Sequence, residues 1–274
     1  MNRIVQPELL DQLPPDDPRA RWSRHDLRRI NAWMSNHAIM AGTLRKQLDG
    51  PRGGRQTAAR LPGVGAPGSL PGPAGPVLRI TELGAGDGHF LVRVAGKVSS
   101  HWPEVKVTLL DRQKVIDSES LAVFLPPGWQ AEVVAADVFD WLSTAGSLDV
   151  VIANLFLHHF EDAKLAELLG AVASRARLFI AIEPHRGLWP LFSSRWLWAI
   201  GCNSVTRYDA AVSVRAGFLG GELSALWPAD PGWELTERRS GLLSHLFVAR
   251  KVSALECADM SAPAKAAACR RSPK

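Results

Sequence analysis

The chain has 274 residues, 46% of them apolar, and 32 Lys and Arg against 27 Asp and Glu, for a net charge of +5. That length holds one full α/β domain with appendages, or two small domains, and no apolar run approaches the ~20 residues of a membrane span. Cys202, Cys257 and Cys269 are scattered and odd in number, so they point neither to a disulfide framework nor to a metal cluster; with a polar, proline-rich start that lacks a signal-peptide core, a cytoplasmic protein is expected.

Taken in order, residues 1–20 read as irregular because of Pro14, Pro15 and Pro18. A helix is predicted from Ser23 to Leu48. Ser23 followed by Asp26 is a start signal, and Leu27, Ile30, Met34, His37, Ala41, Leu44 and Leu48 make one apolar stripe. Residues 1–50 therefore form a helical arm. Asn36 and His37 on it are candidates to face a substrate. Arg19, Arg21, Arg24, Arg28 and Arg29 mostly fall off the stripe, and Arg270, Arg271 and Lys274 end the chain. Without interleaved aromatics they read as solvated charge, which makes nucleic acid an unlikely partner. Residues 51–76 hold seven glycines and six prolines and are expected to be a disordered linker.

From Val77 the pattern alternates between short apolar runs and amphipathic ones. Strands are predicted at Val77–Ile80, Val105–Leu110, Ala131–Ala135, Leu148–Ala153 and Arg177–Ile182. Helices are predicted at Phe90–Val98, Gln113–Phe124 and Asp162–Ser174. This alternation implies a parallel sheet with helices on both faces. Glu234–Arg238 and Ser244–Val252 read as a closing hairpin, and 253–274 as a frayed tail.

The chemistry begins at Glu82-Leu83-Gly84-Ala85-Gly86-Asp87-Gly88-His89. Glycines at alternate positions allow a sharp turn and bare the main chain to a ligand at a helix start. The spacing is not the G-x-G-x-x-G of dinucleotide sites, since His89 stands where its third glycine would be. Glu82 suits a cationic amino group better than a pyrophosphate. A ligand with an ammonium, a carboxylate and a nucleoside fits, and S-adenosylmethionine has all three.

At these residues the chain resembles the class I S-adenosylmethionine-dependent methyltransferases of small-molecule type. The resemblance implies a Rossmann-like, mostly parallel seven-stranded sheet over 77–252, preceded by an arm that covers the cofactor cleft. It also implies site roles. Glu82, Gly84, Ala85, Gly86 and Gly88 would hold the amino-acid end of the cofactor. Asp111, with Arg112 beside it, would take the ribose hydroxyls. Asp137, Val138 and Phe139 would take the adenine, and Asn154 would lie under the methyl group. The stretch Asn154-Leu155-Phe156-Leu157-His158-His159 lacks the acidic-Pro-Pro-aromatic signature of nucleic-acid and protein amino-methyltransferases. His158 or His159 is one candidate base, with His158 ahead, and His185 another, with Arg186 placed to hold an anionic substrate. The insertion 187–230, with Trp189, Trp196 and Trp198, either builds an aromatic pocket or seals a helix onto the core; Tyr208 and Asp209 could orient a hydroxyl. The function expected is methyl transfer to a phenol, quinol or polyketide hydroxyl. An RNA or protein methyltransferase and an inactive cofactor-binding module are the alternatives.

Overall fold

The apolar runs become one seven-stranded sheet. In the computed structural model, which describes residues 1–49 and 77–252, the strands are β1 (Leu78–Leu83), β2 (Val105–Asp111), β3 (Trp129–Ala135), β4 (Leu148–Asn154), β5 (Ala176–Pro184), β6 (Trp233–Ser240) and β7 (Ser244–Lys251). Their order is β3-β2-β1-β4-β5-β7-β6. The first five pair in parallel, and β7 runs antiparallel between β5 and β6. The expected Rossmann-like, mostly parallel sheet is present. The predicted linker 51–76 and tail 253–274 lie outside the described residues.

The N-terminal arm departs from its prediction in two ways. Residues 1–20 are not wholly irregular: α1 (Leu9–Gln12) is a single turn, and Pro18 opens α2 (Pro18–Met34). A proline is tolerated at the first helical position, where its missing N–H would be unpaired anyway, and Asp17 caps the helix by accepting the Arg19 N–H. The single long helix is also broken. Ser35 takes φ 58° between α2 and α3 (Asn36–Asp49). The break turns Asn36 inward, where Asn31, Asn154 and Ser244 bond its side chain. It also splits the apolar stripe. Met40, Ala41, Leu44 and Leu48 pack into the core, while Leu27, Ile30 and Met34 line a cavity instead.

The core is two layers, one on each face of the sheet. Along β5, Leu178, Ile180 and Ile182 face α3 and α4 (His89–Val98), meeting Leu44, Leu91 and Val94. Leu121 of α5 (Ser118–Ala122) belongs to that same layer. Phe179 and Ala181 face the other way and share a second cluster with Val138 and Leu142 of α6 (Val138–Thr144) and Leu165, Leu169 and Val172 of α7 (Asp162–Arg175). Burial on both faces is why these strands read as unbroken apolar runs. The predicted helix 113–124 shrinks to α5, because Gln113 donates its N–H to Asp111 and Asp117 caps the later turn by accepting from Ser120. Beyond β5 come α8 (Leu188–Ser194), a 3-10 segment (Arg195–Ile200), α9 (Ser204–Ala216) and α10 (Glu222–Leu226).

Phe179 is fully buried, stacked on Trp227 at 5.7 Å and edge-on to Phe247 at 6.1 Å. Phe179→Ala is expected to cost about 3–5 kcal/mol. Urea unfolding should show this as a lower midpoint with an unchanged slope.

Candidate active site at the strand tips

The carboxyl ends of the parallel strands open onto one cavity of about 730 Å3. That lies within the ~300–1,000 Å3 usual for small-molecule sites. The glycine turn forms one end. Gly84 has φ 68°, and a Cβ there would come within 2.3 Å of the Phe156 ring, so only glycine fits. Gly88, at φ 70°, starts α4 without lining the cavity. Glu82, Gly84, Ala85 and Gly86 line it, together with Asp111, Arg112, Asp137, Val138 and Asn154. Phe139 does not: its ring sits edge-on to Phe160 and takes the Lys164 ammonium at 4.6 Å.

The acids at the strand tips differ in how they are satisfied. Asp111 accepts the Gly86 N–H on one oxygen and the Gln113 N–H on the other, each at 2.8 Å, so it shapes the turn. Asp137 caps α6 by accepting from Phe139. Glu82 is 2% exposed, and its Oε2 has no partner. Burial, followed by the charges of Asp87 and Asp111, holds its pKa well above the usual carboxylate range. Burial favours the neutral acid there, and a cation entering the cavity beside it would favour the carboxylate and pair its charge.

The other end of the cavity centres on His158, in the 3-10 turn Leu157–His159 that follows β4. Glu183, at the end of β5, accepts the N–H groups of Phe156 and Leu157, at 3.0 and 2.9 Å, and its Oε2 lies 2.7 Å from His158 Nδ1. Leu155, before the turn, takes φ 54°, an unusual conformation for a branched side chain, and is tied by its N–H to Ile182 O. On the far side of the ring, Glu8 Oε1 lies 3.2 Å from Nε2, and the Ser213 hydroxyl donates to the same oxygen. Burial alone would lower the His158 pKa; the hydrogen bonds of Glu183 and Glu8, and their charges, outweigh it and raise it to about 9. For Glu8, burial would raise the pKa, but the bond to His158 and the charges of His159 and His158 bring it down to about 2. The ring is therefore a buried imidazolium between two carboxylates.

That ion pair anchors the arm. Leu9 and Leu10 donate their N–H groups to Asp209, at 2.8 and 3.0 Å, while Arg3 bonds Asp162 and the carbonyls of Phe160 and Ala216. Arg28 reaches Asp87 beside the glycine turn at 2.8 Å. Residues 5–12 and α2 thus form one wall of the cavity. Glu8, His158 and His159 also bring one donor atom each within 4.8 Å of one another, a spacing a divalent cation could use.

Several predicted roles move. His185 is outside the cavity, stacked on His245 at 6.2 Å. Arg186 is buried and spent on Gly217 O, Met1 O and Glu222, so it is not free for an anionic substrate. Asp209 holds the arm, Tyr208 is 47% exposed, and Asn36 is locked between asparagines. Trp189, Trp196 and Trp198 neither line the cavity nor seal a helix: all three are exposed, and Pro190, Ser194 and Leu197 line the cavity in their place. Glu8 and Glu183 are the site residues that sequence reasoning missed. Glu183 carried a signal, as an acid at a fifth strand tip; Glu8 carried none.

No protein-family model matches the chain, and no curated protein matches it in sequence. Solved structures do match. A plantazolicin methyltransferase in complex with SAH is 13% identical over 86% of this chain and 91% of that one, with a TM-score of 0.58. The same enzyme with a monoazolic desmethylPZN analog and SAH gives 0.56. Mitomycin 7-O-methyltransferase is 16% identical over 89% of this chain, with a TM-score of 0.51, and this chain spans 60% of its length. The fold is that of the class I methyltransferases.

The His158–Glu8 pair sets a pH signature. A histidine pKa raised from 6.5 to about 9 stabilises fully below pH 6.5 and loses that contribution as pH rises through 9. A glutamate pKa lowered from 4.5 to about 2 stabilises above pH 4.5 and loses it as pH falls through 2. Glu8→Gln is expected to cost about 1–3 kcal/mol at pH 5–6. The melting-temperature gap to wild type should close above pH 9; a gap of equal size at pH 10 would count against the pairing.

Proposed function

We propose that this chain is an S-adenosylmethionine-dependent methyltransferase whose acceptor is a hydroxyl of a small aromatic or apolar molecule of phenol, quinol or polyketide type. The observation that carries the reading is the single cavity that runs from the unpartnered Glu82 and the glycine turn to the His158–Glu183 pair. The residues present fit the cofactor. Glu82 would take its ammonium, and Asp111, whose oxygens keep lone pairs beyond the two N–H groups they accept, would take the ribose hydroxyls. Asp137 and Val138 would hold the adenine edge and face. When bound, the cofactor supplies a methyl group on a sulfonium, already activated for transfer.

The protein has then to orient the acceptor, exclude water and receive a proton. Leu27, Ile30, Phe156, Phe160 and Leu197 give the acceptor end apolar walls. In the proposed cycle the acceptor hydroxyl takes the place of Glu8 at His158 Nε2. With one carboxylate instead of two on the ring, the imidazolium is a stronger acid; its Nε2 proton leaves with Glu8 and passes to solvent, and the neutral ring can then accept the hydroxyl proton as the methyl group moves. Glu183 keeps Nδ1 protonated, fixes the ring orientation and stabilises the cation that forms. An RNA acceptor has less support, since Arg24, Arg28 and Arg29 are engaged with Pro15 O, Asp87 and Ile200 O.

Transfer of a labelled methyl group into a metabolite extract, with mass spectrometry of the product, tests the reading directly; label appearing only in RNA or protein would refute it. Asp111→Ala should weaken S-adenosylmethionine binding at least roughly tenfold by calorimetry, through loss of charge-assisted hydrogen bonds. With the acceptor in hand, His158→Gln should lower kcat by about 10²–10⁴. Glu8→Gln should move the acid limb of kcat/KM to lower pH, a shift that a purely structural His158 would not produce.

A further inference from the structure

The segment after β5 turns its largest apolar side chains to solvent. Leu188, Trp189, Phe192, Trp196, Trp198 and Ile200 are 47–80% exposed. The rings form one run, with Trp189 against Phe192 at 6.1 Å, Phe192 against Trp196 at 6.2 Å and Trp196 against Trp198 at 6.3 Å. Apolar side chains exposed singly need no explanation, but a contiguous aromatic patch marks an interaction site.

The charge around the patch has one sign. Residues 187–208 contain no Asp or Glu, and carry Arg195 and Arg207, both exposed. Where the patch ends at Ile200, a groove of about 500 Å3 separates it from α2, lined by Arg21, Trp22, His25 and Arg29 and by no carboxylate. Arg29 donates to Ile200 O at 2.8 Å, which fixes the basic edge to the aromatic one. Two nearby acids are occupied: Asp26 is buried and paired with Arg29 at 3.5 Å, and Asp17 is paired with Arg19.

We propose that this face docks on the surface of a lipid bilayer containing anionic lipids. Tryptophan suits the boundary between acyl chains and headgroups, because its ring is apolar and its N–H can still reach a polar partner. The exposed Arg195 and Arg207, with Arg21 at the groove, would meet headgroup phosphates. A second copy of the chain fits less well. A two-fold interface would set this face against itself and bring Arg195 and Arg207 against their own copies, in a stretch that holds no Asp or Glu. Among the described residues no helix is long and apolar enough to cross a membrane, so the contact is with one leaflet.

The same segment also walls the cavity, through Pro190, Ser193, Ser194 and Leu197. A docked molecule would hold that wall at the lipid, where an apolar acceptor is dissolved. This use of the patch rests on the methyl-transfer reading; the docking does not.

The test uses the full chain with sucrose-loaded vesicles of phosphatidylcholine alone, or of phosphatidylcholine and phosphatidylglycerol in equal parts. Sedimentation with the anionic vesicles is expected, weakening as salt is raised. Trp189→Ser, Trp196→Ser and Trp198→Ser together should lower partitioning at least roughly tenfold, with thermal melting and S-adenosylmethionine affinity unchanged. Arg195→Gln should lower it roughly fivefold. Brominated lipids should quench the fluorescence of wild type far more than that of the triple variant. The docking is overturned if wild type stays in the supernatant with both vesicles, or if the triple variant binds as wild type does. It is also overturned if the face instead forms a dimer in sedimentation velocity, or binds single-stranded RNA, without binding vesicles. Vesicle binding by a chain that binds no S-adenosylmethionine would remove the methyl-transfer reading and leave the docking in place.

Discussion

Carboxylates crowd the carboxyl ends of the parallel strands, and the local structure there follows from how each is satisfied. Asp111 draws in the Gly86 N–H and so bends the glycine turn. Asp137 starts α6. Glu183 gathers the N–H groups after β4 and sets the 3-10 turn that presents His158. Glu82 alone has a buried oxygen with nothing to bond. A row of carboxyl groups at the edge of a low-dielectric sheet is costly unless each is answered or kept neutral. Three of the answers are main-chain donors or a histidine; the fourth is left for whatever enters the crevice.

The arm is fastened by the same logic. Glu8 becomes a second carboxylate on an imidazole that Glu183 has already oriented, and each partner makes the other's charge tolerable in a buried place. Around it the contacts are polar and specific: Asp209 with the N–H groups of α1, and a cluster of Asn31, Asn36 and Asn154 with Ser244 at the break between α2 and α3. Buried polar clusters of this kind contribute little net stability, yet they fix one geometry, because any other leaves groups unpaired. The cavity therefore has a wall that belongs to the far N-terminus, held by bonds that an entering hydroxyl or a change of pH can compete with.

Two surfaces of the segment after β5 divide its work. Its inner side, with Pro190, Ser194 and Leu197, completes the cavity; its outer side carries the tryptophans. That division accounts for a composition too apolar for a surface loop and too exposed for a core.

The sequence by itself determined the sheet and the strand-tip residues that line one end of the cavity. Strand period, the glycine spacing and the acids at Glu82, Asp111 and Asp137 are local patterns, and each records a constraint between residues close in the chain. Val138 and Asn154 were legible for the same reason. Tertiary structure alone decided the rest. Glu8 meets His158 across 150 residues with no periodicity to announce it. His185 and Arg186 adjoin a strand tip in sequence yet point away from the crevice, and Ser35 breaks a helix whose stripe looked continuous. The tryptophans could have faced the cavity, the core or the solvent. Side-chain direction and long-range pairing depend on which elements pack against which, and that packing is a property of the folded whole.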